Sequence, residues 1–368
     1  MKIALVNNNL GQAGGAERYT HDVAYGLEKN GHQVAMFDLA DGLIERLANF
    51  QPTVVYLQNV FDDRVTSDIN SRFKTFRFIH DHETYCPGSS KYWFRSNQIC
   101  PVPFSYSCAI RGFTQHCMSR RPEKIWKELW SKPSLLRVTK ELKGLVVASE
   151  FMKTQLVLNG ISPEKITVNQ LFVDPRWEGE KAAFEVKPAD PPLILFIGRV
   201  FIEKGVEYLL RSCRLLDASY QLKIIGDGWD LPRLKSLSES FGLGDKVEFL
   251  GWLEHRKVSE YLASCRMLVV PSIWPEPFGI IGLEAMYFGK PVVAFDSGGI
   301  ATWLKDGRNG FLVPRLDINK LAGRIDELLA DKLLADKMGA AGKEILLGEF
   351  TIERHLRVLE EVFANASA

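Results

Sequence analysis

The chain has 368 residues, of which 46% are hydrophobic, and 46 basic residues against 45 acidic ones leave a net charge of +1. That length suits two domains with a core each, and a balanced charge argues against a general nucleic-acid binder. No apolar run approaches the ~18 residues of a membrane span. The opening Met1-Lys2-Ile3-Ala4-Leu5-Val6 turns polar at Asn7-Asn8-Asn9, too soon for a signal peptide, so a cytoplasmic protein with thiol rather than disulfide cysteines is expected.

Ile3–Val6 reads as a short buried strand. It feeds the loop Gly11-Gln12-Ala13-Gly14-Gly15 and a helix of about 16–29, ended by Asn30-Gly31. Glycines between a strand and a helix let backbone approach a phosphate, but the spacing is not that of a dinucleotide fingerprint, and a plain tight turn fits equally. Strands recur at 33–39, 53–57, 76–79, 145–148 and 166–168, with helical patterns such as Leu43–Phe50 between most of them. Strands alternating with helices predict a parallel, doubly wound sheet. His80 falls at a strand's carboxyl end, in His80-Asp81-His82-Glu83, where polar residues are placed either for function or for capping.

Residues 84–143 are too many for an ordinary connection, and they read as an insert. Cys86, Cys100, Cys108 and Cys117 lie inside it, with His116 as a spare ligand. Four soft ligands suit a structural zinc ion, although no C-x2-C pair is present; separate thiols are the alternative. From Arg111 to Lys143 there are nine Lys/Arg and three Glu, a net +6. Ile125, Trp126, Leu129 and Trp130 recur at helical spacing among Lys124, Lys127 and Lys132. Such a helix either lies on an anionic membrane surface or packs its tryptophans on the sheet.

The stretch 178–192, with Pro188, Pro191 and Pro192, reads as a domain linker. Leu193–Ile197 then opens a second sheet, followed by Gly198-Arg199 and Lys204-Gly205. Further strands are expected at 222–225, ending in Gly226-Asp227-Gly228, and at 247–250, ending in Gly251-Trp252-Leu253. Two more flank Trp274–Pro291, WPEPFGIIGLEAMYFGKP, whose helix stops at Gly289 and Pro291. Glu276 lies in the loop of this unit and Glu284 about a turn into its helix. A loop at the carboxyl end of a parallel strand is where open α/β sheets bind ligands. Backbone N–H groups near Gly279 suit a phosphate, and the two carboxylates suit hydroxyls. A nucleotide-sugar carries both, but on these two acids alone a buried helix with capping or solvated carboxylates is the stronger reading. Residues 350–363 form an amphipathic helix in want of a partner surface.

Glu276-Pro277-Phe278-Gly279, Gly282-Leu283-Glu284-Ala285-Met286 and Gly289-Lys290-Pro291-Val292-Val293-Ala294 resemble the signature of the retaining glycosyltransferases of family 4. Ile194–Pro314 is similar to their donor-binding half throughout, and the first half more weakly. The resemblance implies a GT-B fold: an α/β protein of two Rossmann-like, doubly wound parallel-sheet domains facing a central cleft. The expected divisions are 1–180 on the acceptor side, 190–345 on the donor side, and 346–368 as a helix returning to the first domain. It implies transfer of a sugar from a nucleoside-diphosphate sugar to a carbohydrate or lipid-linked hydroxyl, in cell-surface polysaccharide or glycolipid synthesis, with no cofactor needed for catalysis. Arg199 and Lys204 would meet the diphosphate, with Gly14, Gly15, Gly198 and Gly226 near it. Leu253 would meet the base through its backbone. Glu276, Phe278, Gly279 and Ile280 would grip the sugar and phosphate, and Glu284 the ribose. His80, with His82 as second choice, would face the transferred sugar. Where relatives carry Asn-Gly-Val-Asp, this chain has Asn169-Gln170-Leu171-Phe172-Val173-Asp174 and departs from the pattern. A phosphorylase, an epimerase or hydrolase, or a non-catalytic nucleotide-sugar sensor on the same fold are the other readings.

Overall fold

The computed structural model describes residues 1–11, 15–173 and 189–365. The chain divides into two units, Met1–Leu171 with the segment from Ile352, and Phe172–Thr351. The division therefore falls at Leu171/Phe172 rather than near 180–190, and the returning segment starts at Ile352 rather than 346. The expected linker lies largely outside the described residues.

Unit 1 holds a six-stranded sheet and a small hairpin. Its strands are β1 (Lys2–Asn7), β2 (Gln33–Phe37), β3 (Val54–Gln58), β4 (Thr75–Ile79), the hairpin pair β5 (Tyr92–Trp93) and β6 (Gln98–Ile99), β7 (Gly144–Val147) and β8 (Ile166–Val168). The sheet order is β2-β1-β3-β4-β7-β8 and every pair in it is parallel. Ile3, Val55, Leu57 and Val146 are fully buried, because a parallel sheet covered on both faces needs apolar residues on both. Helix Asp63–Asn70 starts where the Asp62 carboxylate accepts from the Arg64 and Val65 N–H groups. Helix Ile352–Asn365 belongs to this unit, as expected of the returning segment. Its Phe363 ring packs against Tyr56 at 5.2 Å and Phe76 at 5.3 Å.

The expected insert is smaller than 84–143. Helix Pro122–Glu141 buries Leu135, Leu136 and Val138 and is the crossover from β4 to β7. The excursion proper runs from 84 to 121, anchored by fully buried Tyr85 and Tyr92.

Unit 2 holds β9 (Leu193–Ile197), β10 (Gln221–Ile225), β11 (Val247–Gly251), β12 (Met267–Val270), β13 (Val292–Phe295) and β14 (Gly310–Val313). Their order is β11-β10-β9-β12-β13-β14, again all parallel. From β9 the chain steps outward to β10 and β11, then crosses to β12 on the other side of β9. The carboxyl ends of β9 and β12 thus flank the point where strand order reverses, the place where such sheets leave a crevice. In unit 1 the same reversal lies between β1 and β3. No described helix is long and apolar enough to cross a membrane.

Candidate active site

Two loops meet at the reversal point of unit 2. The first leaves β9 through Gly198 and Arg199 and closes in the 3-10 turn Ile202–Lys204. The second leaves β12 and runs from Pro271 to helix Ile281–Tyr287. The Ile273 N–H donates to the Glu203 carbonyl at 3.0 Å, tying the loops together. Gly205 fits between them. Its φ is +72°, and a Cβ there would stand 1.9 Å from the Pro271 carbonyl oxygen, so only glycine allows this approach.

The tie brings Lys204 onto Glu276. Lys204 Nζ donates to Glu276 Oε1 at 2.6 Å and lies 4.9 Å from the Trp274 ring centre. The Ser272 hydroxyl donates to the same oxygen at 2.6 Å. The Glu276 backbone is fixed as well, because its carbonyl accepts from the Gly299 N–H at 2.6 Å. Burial of Glu276 favours the neutral acid, but the Lys204 charge and the Lys204 and Ser272 hydrogen bonds outweigh it and hold the carboxyl below its usual range. The residue is therefore an anion, shielded on one oxygen by an ammonium.

Beyond Glu276, Phe278 is buried and its carbonyl accepts from Trp303 Nε1 at 2.7 Å. Gly279 follows at φ +84°, and Ile280 is exposed. Glu284 is half-buried in the first turn of its seven-residue helix. Arg199 is exposed at the end of β9, its guanidinium 5.2 Å from the Phe201 ring centre. Gly226 backs onto the Gly198 carbonyl, and its N–H donates to the Gly251 carbonyl at 2.8 Å. Leu253, half-buried, lies two residues past β11. Lys204 and Glu276 are thus in contact, while Gly198, Arg199, Gly226, Leu253, Phe278, Gly279, Ile280 and Glu284 sit along the same carboxyl edge of one sheet. Sequence reasoning missed Ser272, Trp274 and Trp303, whose roles arise from tertiary contact.

In unit 1, His80 ends β4 and its Nε2 hydrogen-bonds Gln58 Oε1 at 2.7 Å. An amide oxygen only accepts, so Nε2 carries the proton and Nδ1 is left as an acceptor. The ring meets Phe78 at 4.4 Å and Tyr19 at 5.2 Å. His355, on the returning helix, was not anticipated. Its Nδ1–H donates to the Gln170 carbonyl at 2.7 Å, so its Nε2 accepts from the Tyr19 hydroxyl at 2.8 Å. Burial, then the neighbouring His355, pushes His80 down to about 3, and burial pushes His355 down to about 4. Asn7 Oδ1 and Gln58 Nε2, at the ends of β1 and β3, are buried and have no hydrogen-bond partner among the described residues.

These two imidazoles predict an acid response. Both bind protons more weakly folded than unfolded, where the pKa is about 6.5. Their contribution is fully present above pH 6.5 and shrinks as pH falls toward about 3–4, because the unfolded chain takes up protons first. Denaturant melts should show unit 1 weakening below pH 6.5, and His355→Gln should flatten that slope.

Gly14 lies outside the described residues, and Gly15 is the exposed first residue of helix Gly15–Lys29, with open space where a Cβ would stand. His82, the second choice, lies in the core of the unit. It is fully buried, and its Nδ1 pairs with the Tyr85 hydroxyl at 2.6 Å. The four cysteines of the excursion are half-buried thiols. The Cys117 thiol is pushed up to about 12 by burial, with Cys86, Cys100 and Cys108 close enough to add to the effect. Among the described residues no three His, Cys, Asp or Glu side chains form a group that could hold a metal ion. Two of these thiols make further contacts: Cys86 Sγ accepts from the Lys91 N–H at 3.4 Å, and Lys91 Nζ reaches Cys100 Sγ at 3.9 Å.

Residues 13–177 match the Glycosyltransferase Family 4 model and residues 178–345 the model for Glycosyl transferases group 1. The two matches adjoin and together support a glycosyltransferase of the family 4, GT-B type. It is 32% identical over 166 residues to a lipopolysaccharide core biosynthesis glycosyltransferase of Rhizobium meliloti, covering 45% of this chain and 48% of that one. The chain spans about half the length of the curated relatives it matches. Sucrose-phosphate synthase from Thermosynechococcus elongatus shares the fold at a TM-score of 0.75 and 20% identity, over 99% of this chain and 98% of that one. Anabaena HepE, solved with UDP-glucose, does so at 0.71 and 18%, over 99% and 100%. At such identities these two structures speak for the GT-B fold alone.

Proposed function

We propose that this glycosyltransferase moves a sugar from a nucleoside-diphosphate sugar to a hydroxyl acceptor with retention at the anomeric carbon. The observation that carries the reading is the Lys204–Glu276 contact at the strand-order reversal of unit 2. It sets an ammonium and a carboxylate side by side. A diphosphate needs cations, and sugar hydroxyls need acceptors. Lys204 and Arg199 neutralise the charge that builds on the leaving diphosphate; preorganised charges of this kind supply several kcal/mol. Glu276 accepts from sugar hydroxyls and Glu284 from the ribose. The backbone of Phe278, Gly279 and Ile280 serves the phosphate and sugar, and that of Leu253 the base. The bond from the anomeric carbon to the phosphate oxygen breaks and its electron pair stays on the diphosphate. The acceptor oxygen bonds to the same face, and its proton passes to the departing phosphate oxygen. His80 is assigned to the transferred sugar: a neutral imidazole exchanges hydrogen bonds with a hydroxyl without adding charge.

A uridine donor is tested first, since HepE is solved with UDP-glucose, and a cell-surface glycan or lipid-linked acceptor suits the Rhizobium relative. In a thermal-shift panel of UDP-, GDP-, ADP- and TDP-sugars, one donor at 100 times its dissociation constant should stabilise the protein by about 2.7 kcal/mol. No stabilisation by any donor would remove the reading. Dependence on inorganic phosphate would favour a phosphorylase, and an inverted product by NMR would refute retention.

A further inference from the structure

Helix Pro122–Glu141 buries Ile125 and Leu129 but turns Trp126, 66% exposed, and Trp130, 56% exposed, outward. The two rings lie 5.2 Å apart, and exposed Tyr106 meets Trp130 at 6.4 Å. The preceding helix, Cys108–Gln115, adds exposed Ile110 and Phe113. Large aromatic groups gathered on an outer face mark a binding surface, and indole and phenol rings suit the boundary between water and lipid.

Charge selects among partners. Arg120, Arg121, Lys124 and Lys127 are all exposed in the same segment, against the single carboxylate Glu123, so residues 120–127 carry +3. None of the four cations forms an ion pair among the described residues, whereas Glu128, the next acid, is taken by Lys132 at 2.9 Å. Lys127 lies within about 100° of Trp126 around the helix. Unpaired, long cationic side chains around flat aromatic rings fit a sheet of anionic headgroups over apolar chains.

We propose that the outer face formed by Tyr106, Trp126, Trp130 and the cations of residues 120–127 docks on an anionic lipid bilayer. The helix lies on the surface with its apolar underside kept in the protein. Docking does not depend on the donor chemistry, and its test does not use activity.

The full chain is sedimented with phosphatidylcholine vesicles and with vesicles containing phosphatidylglycerol. It should pellet only with the second, leave them as salt rises, and show a blue shift of tryptophan emission when bound. W126S/W130S should abolish the blue shift and most of the pelleting. In R120Q/R121Q/K124Q/K127Q each lost cation should weaken partitioning about fivefold, the equivalent of about 1 kcal/mol. All six side chains are exposed, so both variants should melt as the parent does. A chain that stays in the supernatant with anionic vesicles overturns the proposal and leaves the face to a protein partner. Equal pelleting with neutral vesicles, or by both variants, overturns it too.

Discussion

Lys204→Ala should destabilise the protein by about 3–5 kcal/mol and lower turnover by about a hundred- to a thousandfold. The stability loss comes from Glu276. Its side chain is 8% exposed and is an anion, and without the ammonium its charge is buried with only neutral donors, Ser272 and Trp274, to answer it. The turnover loss comes from the leaving diphosphate. Lys204→Ala/Glu276→Gln separates the two effects. An uncharged amide no longer needs the cation, so denaturant melts should recover most of the stability while kcat/KM stays low. Recovery of both would make the pair a structural salt bridge and nothing more. Glu276→Ala alone should cost more than one ordinary hydrogen bond, about 1 kcal/mol net, in transition-state binding. Near-normal turnover by that variant would remove Glu276 from the site.

Gly205→Ala should cost about 2–5 kcal/mol in stability and should lower turnover although no charged group is touched. Two terms add. An alanine at φ +72° costs about 1–2 kcal/mol. The new methyl would also stand 1.9 Å from the Pro271 carbonyl, where only backbone movement relieves it, at a further ~1–3 kcal/mol. That movement parts the loops that place Lys204 on Glu276. Gly307 is the control. Its φ is also +72°, but nothing lies within 4 Å of a Cβ there, so Gly307→Ala should show the conformational term alone and normal turnover. Equal effects from the two variants would show that the close approach at Gly205 is unimportant.

The strands and their parallel order were legible because buried parallel strands are continuous apolar runs, and helix Leu43–Phe50 was read to the residue. Lys204, Glu276 and the GT-B halves were legible through motif resemblance. Periodicity gives a helix but not its outward side, which is why Trp126 and Trp130 had two readings until their exposure was seen. Residues 84–143 were read as one insert because their cysteines and charges mask an ordinary crossover helix. Ser272, Trp303 and His355 were invisible for another reason. Each acts on a partner brought to it by the fold: Trp303 holds the Phe278 carbonyl and His355 the Tyr19 hydroxyl. His80 and His82 could not be ranked by pattern, because one polar tetrapeptide supplies both a strand-end residue and a core residue.

The returning helix has a consequence for biosynthesis. Tyr56 and Phe76 emerge early from the ribosome, but Phe363, which covers them, is made only after the whole of the second unit. At about 5–20 residues per second the nascent sheet waits about 15–60 s for its lid. The second unit, Phe172–Thr351, draws no strand from outside and is fully made before Phe363. The unit that is translated first is therefore closed after the second, and its uncovered aromatic face is where a chaperone would have most to hold.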